Sequence, residues 1–203
     1  AVTADDVEHA TKLGLVIKLL AVAEEHDDHL SVRVHPAMLP KSHPLASVSG
    51  SFNAVFVEGR AVGSLMFYGR GAGGSPTASA VLGDVVDAAV NLRKSTHASI
   101  GTFAPATFLP VDETTSEYYV NIEVADQPGV LAAVAGVFGR HQVSIRSMEQ
   151  EGLGQRARIV FITHTARHRD ITECRAKLEA LRADDGSPVV TRVNSVIRVI
   201  AEG

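Results

Sequence analysis

The sequence contains one cysteine, Cys174, no tryptophan and three tyrosines in 203 residues, and aromatic side chains make up only 5% of it. A single thiol excludes an intrachain disulfide and a cysteine-built zinc cluster, as expected in a reducing compartment, so the cytoplasm is the expected location. Blocks of like charge are also missing: charged residues are 21% of the chain and the formal net charge is −4. That pattern offers neither the basic footprint of a nucleic-acid partner nor a surface for an anionic membrane. No apolar run approaches the roughly 20 residues that span a bilayer, and Ala1–Asp6 lacks the basic flank and apolar core of a secretory signal. An initiator methionine is absent as well. Thr3, with Asp6 three residues on, reads as the cap of a helix entered from upstream sequence, which predicts an amino-terminal truncation. Small-molecule chemistry remains, in a chain long enough for one large domain or two modest ones.

Val7, Ala10, Thr11 and Leu13 fit a short helix closing at Gly14. Val16–Ala23 is nearly continuously apolar, which predicts a strand covered on both faces, and Glu24–His29 reads as a solvated turn. Ser31–His35 alternates as a half-buried strand, whereas Pro36, Pro40 and Pro44 predict an irregular loop over Ala37–Leu45. Ser51–Glu58 and Ala61–Tyr68 form a predicted hairpin with a Gly59-Arg60 turn. After it come Gly69-Arg70-Gly71-Ala72-Gly73-Gly74 and a helix over Thr77–Leu92, with Ser75 as its expected cap and Pro76 as its first residue. Ser95–Thr115 is aperiodic, holds Pro105 and Pro110, and reads as a connection crossed by a short strand near Ala106–Leu109.

A strand that runs through a glycine-rich turn into a helix brings free backbone N–H groups and the positive end of a helix dipole to one point, which suits a phosphate. Gly69, Gly71 and Gly74 spell G-x-G-x-x-G, but no parallel strand with an acidic end follows, as a dinucleotide fold needs. The alternative is that these glycines serve only tight strand-to-helix packing.

The remainder reads strand Tyr118–Val124, turn Asp126–Gly129, helix Val130–Arg140, strands Ser144–Gln150 and Arg156–His164, helix Asp170–Leu181 and strand Val189–Ala201. This is a ferredoxin-like βαββαβ order. Alternation of Tyr118, Val120, Ile122 and Val124 against Tyr119, Asn121 and Glu123 predicts one buried sheet face. At the first strand-to-helix junction Gly129 permits close approach to free N–H groups that attract a carboxylate, and Asp126 can accept from an ammonium. An amino acid carries both charges. In the competing reading Asp126 is simply the helix N-cap.

The runs Lys18-Leu19-Leu20-Ala21, Val32-Arg33-Val34-His35-Pro36, Pro40-Lys41-Ser42-His43-Pro44-Leu45-Ala46, Asn53-Ala54-Val55-Phe56-Val57-Glu58-Gly59 and Phe67-Tyr68-Gly69-Arg70-Gly71-Ala72-Gly73-Gly74 resemble, in order, the carboxy-terminal part of the homoserine dehydrogenase catalytic region. Asp126-x-Pro128-Gly129-Val130-Leu131 and the element order around it resemble an ACT domain, an amino-acid-binding regulatory module. The resemblance implies an α+β chain: a mixed-sheet catalytic remnant over residues 1–94, a linker over 95–115 and an ACT domain over 116–203. It implies interconversion of L-homoserine and L-aspartate 4-semialdehyde with NAD or NADP, in threonine, methionine and isoleucine synthesis. Gly73, then Gly71, match the family's cofactor contact. Asp126, Gly129, Val130 and Leu131 match the effector loop, with L-threonine the implied feedback ligand in a homo-oligomer. The family's Rossmann domain, catalytic lysine and homoserine-gripping acidic residues precede Ala1, so no catalytic residue is assigned and Lys18 and Lys41 do not replace them. The chain alone is expected to be inactive. The alternative function, of another class, is a free-standing amino-acid-sensing module whose first half dimerises it or docks a partner.

Other signals carry little. His26/His29 and His164/His168 have helix-like spacing but no third ligand nearby in sequence, so no metal is expected. Cys174 falls on the apolar side of a helix, where a thiol is ordinarily inert. Ser47, Ser49 and Ser51 near His43 lack the Gly-x-Ser-x-Gly elbow of a hydrolase.

Overall fold

The computed structural model describes residues 2–96, 103–152, 154 and 156–200. In chain order its elements are α1 (Ala4–Lys12), β1 (Leu15–His26), β2 (His29–Pro40), β3 (Phe52–Gly59), β4 (Gly63–Arg70), α2 (Gly74–Lys94), the two-residue β5 (Thr107–Phe108), β6 (Thr115–Ala125), α3 (Val130–Arg140), β7 (Ile145–Gly152), β8 (Arg156–Thr163), the two-residue β9 (Ala166–Arg167), α4 (His168–Glu179) and β10 (Val190–Val199). They make an α+β arrangement in two units, residues 1–41 with 106–203, and residues 42–105. The family-based division falls at 95–115 instead. The first unit crosses that division because β2 joins the sheet of the second half through parallel pairing of Ala37 and Met38 with Arg198 and Val199 of β10.

In the first unit the strands run in the order β1-β2-β10-β6-β8-β7, a mixed sheet whose joins along this path are antiparallel except β2–β10. Helices α3 and α4 cover one face, where Tyr118, Ile122, Val134, Phe138, Phe161 and Leu178 form the main core. The expectation of a single buried face fails. Tyr119 and Asn121 are both fully buried, because Ala10 of α1 and Met38 of β2 pack with Tyr119, Ile162 and Ile197 on the opposite face. Alternation within one strand reports the pleat, and what lies over each face is decided by other elements, here as far away in sequence as Ala10.

β1 and β2 pair antiparallel from Leu15↔Pro40 to His26↔His29, so the expected turn shrinks to Asp27-Asp28, with Asp27 at φ 50°. Their apolar residues are not covered on both faces: Leu19 is 73% exposed and Val34 67%. The expected loop over Ala37–Leu45 is also corrected. β2 continues through Pro36 to Pro40, its Ala37, Met38 and Leu39 are fully buried, and only Pro44–Ser47 forms a 3₁₀ turn. Each proline removes one ladder donor, a loss the long β1 register and the burial of three side chains outweigh. β5 pairs in parallel with the start of β2, at the short strand expected near Ala106–Leu109. Residues 97–102 of the expected connection lie outside the described residues, as does Ala201 at the end of the expected last strand.

In the second unit β3 and β4 pair from Phe52↔Arg70 to Gly59↔Gly63. The positive φ of the turn belongs to Gly63, at 73°, rather than to Gly59-Arg60. Phe52 and Tyr68 stack with ring centroids 4.9 Å apart. α2 begins at Gly74, with Gly73 at the cap, so Ser75 and Pro76 lie inside its first turn instead of capping and opening it.

Candidate functional site

The glycine loop joins β4 to α2 in the second unit. The Gly71 N–H donates to the Ser51 carbonyl at 3.2 Å, which ties the loop to the entry of β3. A Cβ on Gly71 would fall inside the side-chain amide of Asn53, so this position has no room for a larger residue. Gly73 has φ 125° and ψ 146°, a conformation essentially reserved for glycine, and no side chain caps the helix it opens. Gly71, Gly73 and Gly74 line an open hollow with Thr77, Ala78 and Val81 of α2. Backbone donors at an uncapped N-terminus, in a hollow without a charged lining side chain, form a site that takes an anionic group by its oxygens. Such a loop can take a dinucleotide's phosphates, while the close approach at Gly71 and the φ of Gly73 are equally what tight strand-to-helix packing asks of glycine.

The second candidate loop joins β6 to α3 in the first unit. Gly129 is the helix N-cap, with φ 86°, and no side chain caps it. The reading of Asp126 as the N-cap is therefore corrected: its carboxylate is exposed and lies toward the end of β7, where a Cβ on Gly152 would stand 4.0 Å from its Oδ2. The Ala125 N–H donates to Val189 at 3.1 Å and the Gln127 N–H to Ala125 at 3.1 Å, holding the turn against β10. Val130 is buried and anchors the helix start in the core, while Leu131 is 37% exposed beside the loop. Exposed negative charge thus sits three residues before an uncapped helix start. The glycine loop belongs to the other unit.

Sequence reasoning missed a buried polar cluster under α1. Asp6 was read only as a cap partner for Thr3, and it does accept from the Thr3 N–H and hydroxyl, each at 2.8 Å. Its other oxygen accepts from Ser195 Oγ at 2.6 Å and from Asn121 Nδ2 at 3.0 Å. Burial alone would raise the Asp6 carboxyl, but the bonds from Ser195, Thr3 and Asn121 outweigh it and hold the group below its usual value. Burial, followed by the nearby Asp6 charge, pushes the Tyr119 phenol far up. The available signal was Asn121 and Ser195 at strand positions, polar residues that a second cover over the sheet turns inward.

Cys174 is 1% exposed, and burial pushes its thiol up to about 12. Among the described residues no three His, Cys, Asp or Glu side chains cluster closely enough for a metal ion, and no helix is long and apolar enough to cross a membrane.

Comparison with known proteins adds the lineage. Residues 1–86 match the family model for homoserine dehydrogenase and residues 118–183 that for the ACT domain. A homoserine dehydrogenase of Corynebacterium glutamicum is 46% identical over 204 residues, covering 98% of this chain and 44% of that protein. One from Mycobacterium tuberculosis is 46% identical over 214 residues, covering 100% of this chain and 47% of its own length. The crystal structure of a homoserine dehydrogenase from Thiobacillus denitrificans superposes with a TM-score of 0.87 at 33% identity, over 98% of this chain and 46% of that one. The chain therefore spans just under half the length of the relatives it matches. With a homoserine dehydrogenase segment followed by an ACT domain, the chain belongs to the homoserine dehydrogenase family.

Proposed function

We propose that the chain is the carboxy-terminal part of an oxidoreductase that interconverts L-homoserine and L-aspartate 4-semialdehyde with NAD or NADP, on the route to threonine, methionine and isoleucine. Residues 1–94 belong to its catalytic region, 95–115 connect, and 116–203 are a regulatory domain for which L-threonine is the feedback effector. The assembly is a cytoplasmic homo-oligomer. The observation that carries the regulatory half is the uncapped, left-handed Gly129 at the start of α3 beside the exposed Asp126. The N–H groups of Gly129 and Leu131 face the effector carboxylate beside the buried Val130 that anchors the helix, and Asp126 accepts from its ammonium.

In the catalytic half the nicotinamide cofactor, when bound, accepts or returns the hydride. The part of this chain is confined to holding: Gly73 presents its backbone N–H and the α2 dipole to the cofactor's phosphates, while Gly71, its own N–H bonded to Ser51, fixes the loop against Asn53. No residue here is assigned to proton transfer. Purified chain with homoserine and NAD(P) is expected to give no turnover; measurable cofactor reduction would contradict that part. For the regulatory half, L-threonine is expected to raise the thermal midpoint more than L-alanine or glycine does. Equal shifts would remove threonine as the effector.

A further inference from the structure

Apart from both loops, the helix-covered side of the first unit contains a cavity of about 440 Å³ between β2, β6, β10 and α4. His35, Tyr118, His168, Thr172, Arg175 and Arg198 contribute its polar lining. Arg198 is 7% exposed. Its Nη2 donates to Thr114 Oγ1 at 3.0 Å and its guanidinium carbon lies 5.3 Å from the Tyr118 ring centroid. Its Nη1 is buried without a hydrogen-bond partner, and among the described residues no carboxylate pairs with Arg198.

The surroundings are cationic. Arg33 is held by Glu24 at 2.8 Å and Arg175 by Glu179 at 3.0 Å, so those two carboxylates are already engaged. His168 Nδ1 lies 3.4 Å from the Tyr118 hydroxyl. Burial first, and the positive charge of Arg198 beside them, disfavour protonation of His168 and His35; Asp112 opposes this at His168 and Glu24 at His35. A guanidinium does not give up its proton in a protein, so a buried one with a free N–H favours a negative partner.

We propose that this cavity binds a small oxyanion through Arg198, with Tyr118 and His168 at its wall. The shared chemistry is an oxyanion that pairs with the guanidinium of Arg198 at the cavity wall; a metabolite carboxylate and free phosphate are its two sources. The site is separate from the Asp126–Gly129 loop and does not depend on threonine being the effector.

The test follows the His35 and His168 ring resonances of the whole chain by NMR while inorganic phosphate, or separately acetate, is titrated at constant ionic strength in chloride. Saturable shifts of both rings are expected with at least one of the two anions, and the responding anion identifies the source. Binding should weaken tenfold or more in Arg198→Met, weaken less in Arg198→Lys, which keeps the buried charge if the first variant fails to fold, and survive Asp126→Ala. No saturable shift with either anion would overturn the proposal, as would undiminished binding in both Arg198 variants. Glu202 lies outside the described residues; binding that appears only in Glu202→Gln would mean that an internal ion pair fills the site, and would equally overturn it.

Discussion

Asp6 does two jobs with one carboxylate. It completes the Thr3 capping box and gathers Ser195 and Asn121 beneath α1. Replacing it with alanine leaves buried donors unsatisfied, which costs about 1–3 kcal/mol per group, and chemical denaturation of Asp6→Ala should show a loss of at least that order. The folded carboxyl titrates below its unfolded value. Its contribution is therefore present above the unfolded value of about 3.9 and disappears as pH falls through the folded one, so Asp6→Asn should flatten the acid side of the stability profile below about pH 4. Gly129 gives a sharper test of the effector loop. A Cβ there meets nothing within 4 Å, so Gly129→Ala meets only the backbone cost of φ 86°. That cost is about 1–2 kcal/mol, measurable by denaturation, and effector binding should weaken if the loop opens to relieve it. Cys174, with its thiol near 12, should resist alkylation in the native chain and react only on unfolding, which mass spectrometry can follow.

At the scale of elements, β2 separates what the sequence revealed from what it concealed. Its first half was legible by alternation, its second half was hidden by Pro36 and Pro40, and Met38 lies in that hidden half with no exposure. Met38→Ala should cost about 2–5 kcal/mol, whereas Leu19→Ala on the exposed flank of β1 should fall within about 0.5 kcal/mol, as read from denaturant midpoints. An irregular loop at Met38 would make the two equal. The helices α3 and α4 were readable because their apolar stripes repeat with the helical period: α3 keeps both expected ends and α4 lies two residues earlier at each. The start of α2 was misplaced because Ser75-Pro76 carries the usual opening signal, yet Gly73 can adopt a φ that starts the helix before them. Both candidate loops were legible as glycine-containing strand-to-helix turns. The Asp6 cluster and the Arg198 cavity were not, since each joins residues far apart in sequence.

For the whole molecule, the second unit leaves α2 without a single buried residue and Val55, Phe67 and Leu82 more than half exposed. The chain spans under half of the relatives it matches. The first unit, by contrast, buries both faces of its sheet at β6 and β10 and carries the Asp126–Gly129 loop on its own framework. The most direct measurement of the account is calorimetric titration of L-threonine into the purified chain, with L-alanine and Asp126→Ala as controls. The account predicts saturable binding, selective for threonine and weakened in the variant. Absence of binding, or equal binding of alanine, would contradict it.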